Sequence, residues 1–95
     1  MPAVHRIGDA NNAGGAVTST PQGSFFVNGI LAAVDGSIGT AHPPCPTITI
    51  HCAGNWTTAN GAGSFLVEGI PINREGDADT CGDVRAAGSP DFVVA

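Results

Sequence analysis

A chain of 95 residues makes one domain, taken as residues 1–95, and buries only about 60–70% of its unfolded surface, so its core is thin and a staple would help it. A net charge of −5, with no lysine and three scattered arginines, argues against nucleic-acid and anionic-membrane partners, which need cations to displace counterions. Fourteen glycines and seven prolines come close to a disordered composition, but 42% hydrophobic content and ordered turn spacing point to a folded, turn-dense protein.

In chain order, "MPAVHRIGDANN" lacks the apolar core of a signal peptide, and no later run approaches a membrane span, so the expectation is a chain made in the cytoplasm. "RIGDANNAGG", Arg6 to Gly15, reads as a polar loop. "SFFVNGILAAV", Ser24 to Val34, is a β-rich run interrupted by Asn-Gly, a strong hairpin signal. "PTITIHCAG", Pro46 to Gly54, alternates Thr47, Thr49 and His51 with Ile48, Ile50 and Cys52, which predicts a half-buried strand with Cys52 on its core face. "SFLVEGIPIN", Ser64 to Asn73, is a second hairpin, "REGDADTCGD", Arg74 to Asp83, a second polar loop, and "SPDFVVA" a last short strand. With no sustained 3.6 period, the fold class is all-β, leaving room only for a short helical turn.

Repetition organises these elements. Gly23–Ala41 aligns on Gly63–Cys81 at an offset of 40 with eight identities in nineteen positions: Gly23/Gly63, Ser24/Ser64, Phe25/Phe65, Val27/Val67, Gly29/Gly69, Ile30/Ile70, Gly36/Gly76 and Thr40/Thr80. The first polar loop aligns on the second at an offset of 68, and Phe92 and Val94 answer Phe25 and Val27. The chain thus holds about three copies of one unit, offset circularly at its ends, which predicts a pseudo-threefold β assembly. The Gly-Asp loops are expected to be its repeated corners: Gly8, Gly36 and Gly76 permit backbone angles closed to other residues, and Asp9 and Asp77 can bond nearby amides.

Three histidines (His5, His42, His51) and three cysteines (Cys45, Cys52, Cys81) are candidates for a structural zinc site, which takes four N/S ligands and adds folding energy to a small core. Three cysteines cannot all pair within one chain, and the expectation is reduced thiols or a metal rather than a disulfide framework. Cys81 lies in a polar loop, and His42 sits one residue past Ala41, its counterpart in the aligned copy. His51 shares a face with threonines, and His5 precedes the first loop within reach of the same axis. Three histidines plus Cys81 would close a site; separate surface histidines, or a competing His42–Cys45 pair in "HPPC", are the alternatives.

The motifs "R-x-G-D", "G-S-x-x-V-x-G-I-P", "R-x-G-D-x-x-T-C-G" and "G-S-P-x-F-V" resemble the PAAR-repeat family over essentially the whole chain. The resemblance implies a sharp cone of short strands with pseudo-threefold symmetry and a zinc ion near its apex, held by three histidines and one cysteine. Cys81 matches the cysteine of the "T-C-G" motif, His42 falls in the loop where members carry a histidine, and His5 and His51 complete the set. Many members carry a histidine just before the Gly-Gly of the first loop, where this chain has Ala13; Ser37 stands where Asp9 and Asp77 occupy the other copies.

Family members cap the trimeric spike of type VI secretion machines and contractile phage tails. The resemblance therefore implies a non-enzymatic tip, one copy per homotrimeric β-helical spike protein, that pierces a membrane mechanically and can travel with effector cargo. The apolar residues Phe26, Ile30, Leu31, Leu66 and Ile70 are expected to divide between core and spike-facing base. Two other readings are a free-standing zinc-stabilised adaptor and a hydrolase built on Cys81, His42 and Asp77. The second lacks any nucleophile elbow or H-E-x-x-H helix, and a fully ligated zinc has no position for an activated water.

Overall fold

The computed structural model describes residues 2–95, and its elements are short because turns interrupt the chain every few residues. The strands are β1 (Val17–Ser19), β2 (Phe26–Val27), β3 (Ile30–Leu31), β4 (Ile38–Gly39), β5 (Ala62–Val67) and β6 (Ile70–Ile72). They form three two-stranded antiparallel sheets, β1–β4, β2–β3 and β5–β6. Among the described residues the fold is all-β apart from one 3-10 turn, Thr49–His51. Both predicted hairpins form. Asn28-Gly29 takes φ of 57° and 76°, and Glu68-Gly69 takes 53° and 79°, the paired positive angles of a two-residue turn whose twist matches its strands.

The third copy is assembled from the two chain ends. Ala3 pairs with Val93, Val4 donates to Phe92 O at 3.0 Å and Val94 to Pro2 O at 3.0 Å. Ala3–Val93 therefore repeats the Leu31–Phe26 and Pro71–Leu66 pairs of the two hairpins. The copies are joined by a closed ring of backbone hydrogen bonds: His5 N to Asn73 O (3.0 Å), Asn73 N to Ala33 O (2.9 Å), and Ala33 N to His5 O (2.9 Å). Beyond the ring each copy turns a corner at Gly8, Gly36 or Gly76, with φ of 91°, 91° and 92°. Their amides donate to Val17 O, Thr58 O and Arg85 O at 2.8, 3.0 and 2.8 Å. Only glycine adopts this angle without strain, which is why all three corners carry one.

Around this axis, Val27, Val67 and Val94 are buried with Val4, Ala32, Val34, Ala62 and Ile72. Phe25, Phe65 and Phe92 close a triangle, with ring centroids 5.5, 5.9 and 6.0 Å apart. Such aromatic pairs add about 0.5–1.5 kcal/mol each beyond the area they bury. The body measures 35 × 23 × 22 Å, one long axis and two nearly equal short ones, which fits a small β cone.

Two expectations need correction. Pro46–Gly54 is not a strand: Ile48 N donates to Pro44 O, His51 N to Ile48 O and Cys52 N to Thr49 O, folding the segment on itself. Prolines 43, 44 and 46 remove amide donors at its start, and the alternating pattern finds no partner strand. Ile48 and Ile50 are left 51% and 39% exposed. Nor are the thiols all reduced. Cys45 and Cys52 form a disulfide and Cys81 remains free, so Cys52 is a half-buried bridge rather than a core residue. An odd cysteine count forbids full pairing but leaves one pair free to form.

Candidate metal centre

Cys81 and Asp83 are positioned by the second polar loop, which Arg85 holds from inside. Arg85 is buried; its Nε donates to Arg74 O, its Nη1 to Asp79 Oδ1 and its Nη2 to Ala59 O, each at 2.8 Å. Asp79 N donates to Asp83 O at 2.8 Å and Gly82 N to Asp79 O at 2.9 Å, a tight turn that directs Cys81 and Asp83 to one side. The first loop repeats this turn with Asn11 N to Gly15 O, 2.8 Å, and Gly14 N to Asn11 O, 3.1 Å. Gly15 occupies the position of Asp83, and a Cβ there would collide with the His42 ring.

His42 is fixed by the buried Trp56. Trp56 Nε1 donates to Thr40 O at 3.1 Å, and its ring lies edge-on to His42 with centroids 5.2 Å apart. His42 Nδ1 lies 3.3 Å from the same Thr40 oxygen; a ring that donates its Nδ1–H to that carbonyl has Nε2 available as a metal ligand. His51 meets His42 through a backbone bond, His42 N to His51 O at 3.1 Å, and through edge-on rings 5.1 Å apart.

Four donor atoms converge here within 4.8 Å of one another, from His42, His51, Cys81 and Asp83. His42 Nε2 is 3.0 Å from His51 Nδ1 and 2.8 Å from Asp83 Oδ2, and His51 Nδ1 is 3.1 Å from the same oxygen. Cys81 Sγ is 3.7 Å from His42 Nε2 and 3.5 Å from Asp83 Oδ2. Tetrahedral zinc, with bonds of about 2.0–2.1 Å to N or O and about 2.3 Å to S, sets its ligands about 3.3 Å apart, or about 3.5 Å when one is sulfur. The two sulfur separations lie close to the second value, and the three among nitrogen and oxygen are somewhat shorter than the first. Two imidazole nitrogens, a thiol sulfur and a carboxylate oxygen are also the donor types that zinc takes. The donor set therefore fits a zinc-like ion. Burial pushes the Cys81 thiol up from its ordinary value, and the Asp83 carboxylate adds to the rise through its side chain while its backbone amide opposes it. A bound cation would reverse that balance and favour the thiolate.

Of the four residues read from the sequence as ligands, the structure brings His42, His51 and Cys81 together. His5 is not in that group. It occupies the axial ring position equivalent to Ala33 and Asn73, is buried, and its Nδ1 lies 2.7 Å from Ala87 O. The competing His42–Cys45 pair is overturned, since Cys45 is in the disulfide. Asp77 is engaged by Arg74 Nε at 2.8 Å; the carboxylate beside Cys81 and His42 is Asp83. Asp83 carried one sequence signal, the change from Gly15 to Asp83 at the last position of otherwise matching loops.

No curated protein matches this chain. The family model described as PAAR motif matches residues 7–87 of the 95. That match spans the axial corners, both hairpins and all four converging donors, and the chain belongs to the PAAR-motif family.

Proposed function

We propose that this protein is a non-enzymatic spike tip, one copy of which caps the end of a homotrimeric β-helical spike in a contractile phage tail or type VI secretion machine, sharpening it for mechanical puncture of a membrane. PAAR-motif proteins sit on the spikes of such systems, and among the described residues no helix is long and apolar enough to cross a membrane.

The observation that carries the reading is a threefold set of exposed apolar residues presented by one chain. Phe26, Leu66 and Val93 occupy equivalent positions, each between a packed Phe and a buried Val, and are 56%, 56% and 45% exposed. A trimeric shaft ends in three identical surfaces, so one pseudo-threefold chain meets all three at once. Ile30 is also exposed and Leu31 and Ile70 are half-buried, in line with a set divided between core and base. Strand edges at this surface can pair across the junction by strand addition.

A structural zinc completes the tip. The reading assigns it to His42, His51 and Cys81, with Asp83 in the fourth place that sequence analysis gave to His5. Four protein donors leave no position for a substrate or activated water, which supports a structural rather than catalytic role. Light scattering on this protein mixed with a candidate spike tests the capping reading: one chain per three spike chains is expected. A three-to-three complex, or a stable homotrimer of this protein alone, would overturn it, and a non-trimeric partner would favour the adaptor.

A further inference from the structure

The segment that carries both histidines has almost no core of its own. Residues 46–50 are all exposed, and between Pro43 and Asn55 only His51 is buried. Its backbone bonds close locally, from His42 N to His51 O, Cys45 N to His42 O, Cys52 N to Thr49 O and Asn55 N to Cys52 O. Such a segment gains little from burial to offset the entropy of ordering it. The Cys45–Cys52 disulfide supplies the missing restraint: it joins the third residue after His42 to the residue immediately after His51.

We propose that the Cys45–Cys52 disulfide is a redox clamp on the metal centre, holding His42 and His51 at ligand spacing when closed and loosening the ion when opened. The proposal rests on the metal-centre reading above. In the open state, ordering the His42–His51 segment is charged to metal binding and lowers affinity accordingly. Closure converts two thiols to one disulfide and releases two protons and two electrons. A small-molecule disulfide of the oxidised-glutathione class accepts them and leaves as two thiols. The clamp therefore tightens when the protein passes from a reducing compartment into an oxidising one. Cys81, the remaining thiol, is reserved for the ion.

The test compares three forms of the zinc-loaded full chain: oxidised, reduced with a phosphine (which takes oxygen from water as the disulfide becomes two thiols), and the Cys45→Ser/Cys52→Ser variant. Zinc transfer to a chromophoric chelator should be at least tenfold faster from the reduced form and from the double-serine variant than from the oxidised form. In metal-free protein, amide exchange at His42 and Cys45 should speed up on reduction while Val27 and Val67 stay protected, which separates loop release from global unfolding. Equal zinc retention in all three forms overturns the clamp while leaving the metal centre standing. Tighter retention by the reduced form than by the double-serine variant also overturns it, since Cys45 or Cys52 would then be acting as a ligand. An oxidised protein that holds no zinc overturns the metal-centre reading and the clamp with it.

Discussion

His42 Nε2 and Asp83 Oδ2 lie 2.8 Å apart, with the Thr40 carbonyl oxygen 3.3 Å from Nδ1 on the other side of the His42 ring. A metal ion bound there would take both atoms as ligands, with the Thr40 carbonyl accepting from the Nδ1–H. Asp83→Ala should therefore lose most of the zinc bound by purified protein, as should Cys81→Ala, while His5→Gln keeps a ratio near one ion per chain. Elemental analysis reads this directly. Loss of metal in His5→Gln with full retention in Asp83→Ala would restore the three-histidine set.

Removing the ion should damage folding. An ion that binds only the native state, at about 100 times its dissociation constant, adds about 2.7 kcal/mol. In a domain of this size each kcal/mol moves the melting midpoint by about 4–8 °C. Calorimetry before and after verified chelation should show a drop on the order of 10 °C or more. An unchanged midpoint would contradict a structural role.

The threefold surface gives a third test. Phe26→Asp and Leu66→Asp place charge at exposed positions, so the isolated protein should keep its melting midpoint to within a few degrees. Binding to a spike trimer should be abolished, because an aspartate buried at that contact is unpaired. Full binding by both variants in sedimentation would remove this surface from the contact.

His5 gives a pH signature. Burial lowers its proton affinity below the ordinary histidine value, an effect opposed by the Ala87 carbonyl and the charge of Asp9. A lowered folded-state value means that the unfolded chain binds more protons, so stability is complete above pH ~6.5 and falls as pH drops through the folded value. Urea titrations of metal-free protein from pH 7.5 to 5 should show this acid loss in the wild type and a shallower loss in His5→Gln. Identical slopes would mean that His5 does not titrate in this range.

A ring of side-chain bonds shows how much of the fold was legible in the sequence. Asn28 Nδ2 donates to Asp91 Oδ1 at 2.8 Å, Ser24 Oγ to Glu68 Oε2 at 2.7 Å and Ser64 Oγ to Ala95 O at 3.2 Å. Each links the turn position of one copy to the strand start of the next, in the cyclic order that the aligned repeats require. Repeats, Asn-Gly and Glu-Gly turns and corner glycines are local features whose backbone angles follow from residue type, so the sequence by itself determined three all-β copies and their family.

Which side chains converge at the candidate metal centre depends on the tertiary structure. His5 has the side chain of a ligand but the ring position of Ala33 and Asn73, where the backbone holds it in the core. Asp83 looks like an ordinary loop acid until the segment inserted after His42 folds back and places two imidazoles beside it. That segment alternates like a strand, yet its prolines and the Cys45–Cys52 bridge close it on itself. Convergence of these donors depends on distances of a few ångströms between residues up to 41 positions apart, and no local pattern of residue types encodes such distances.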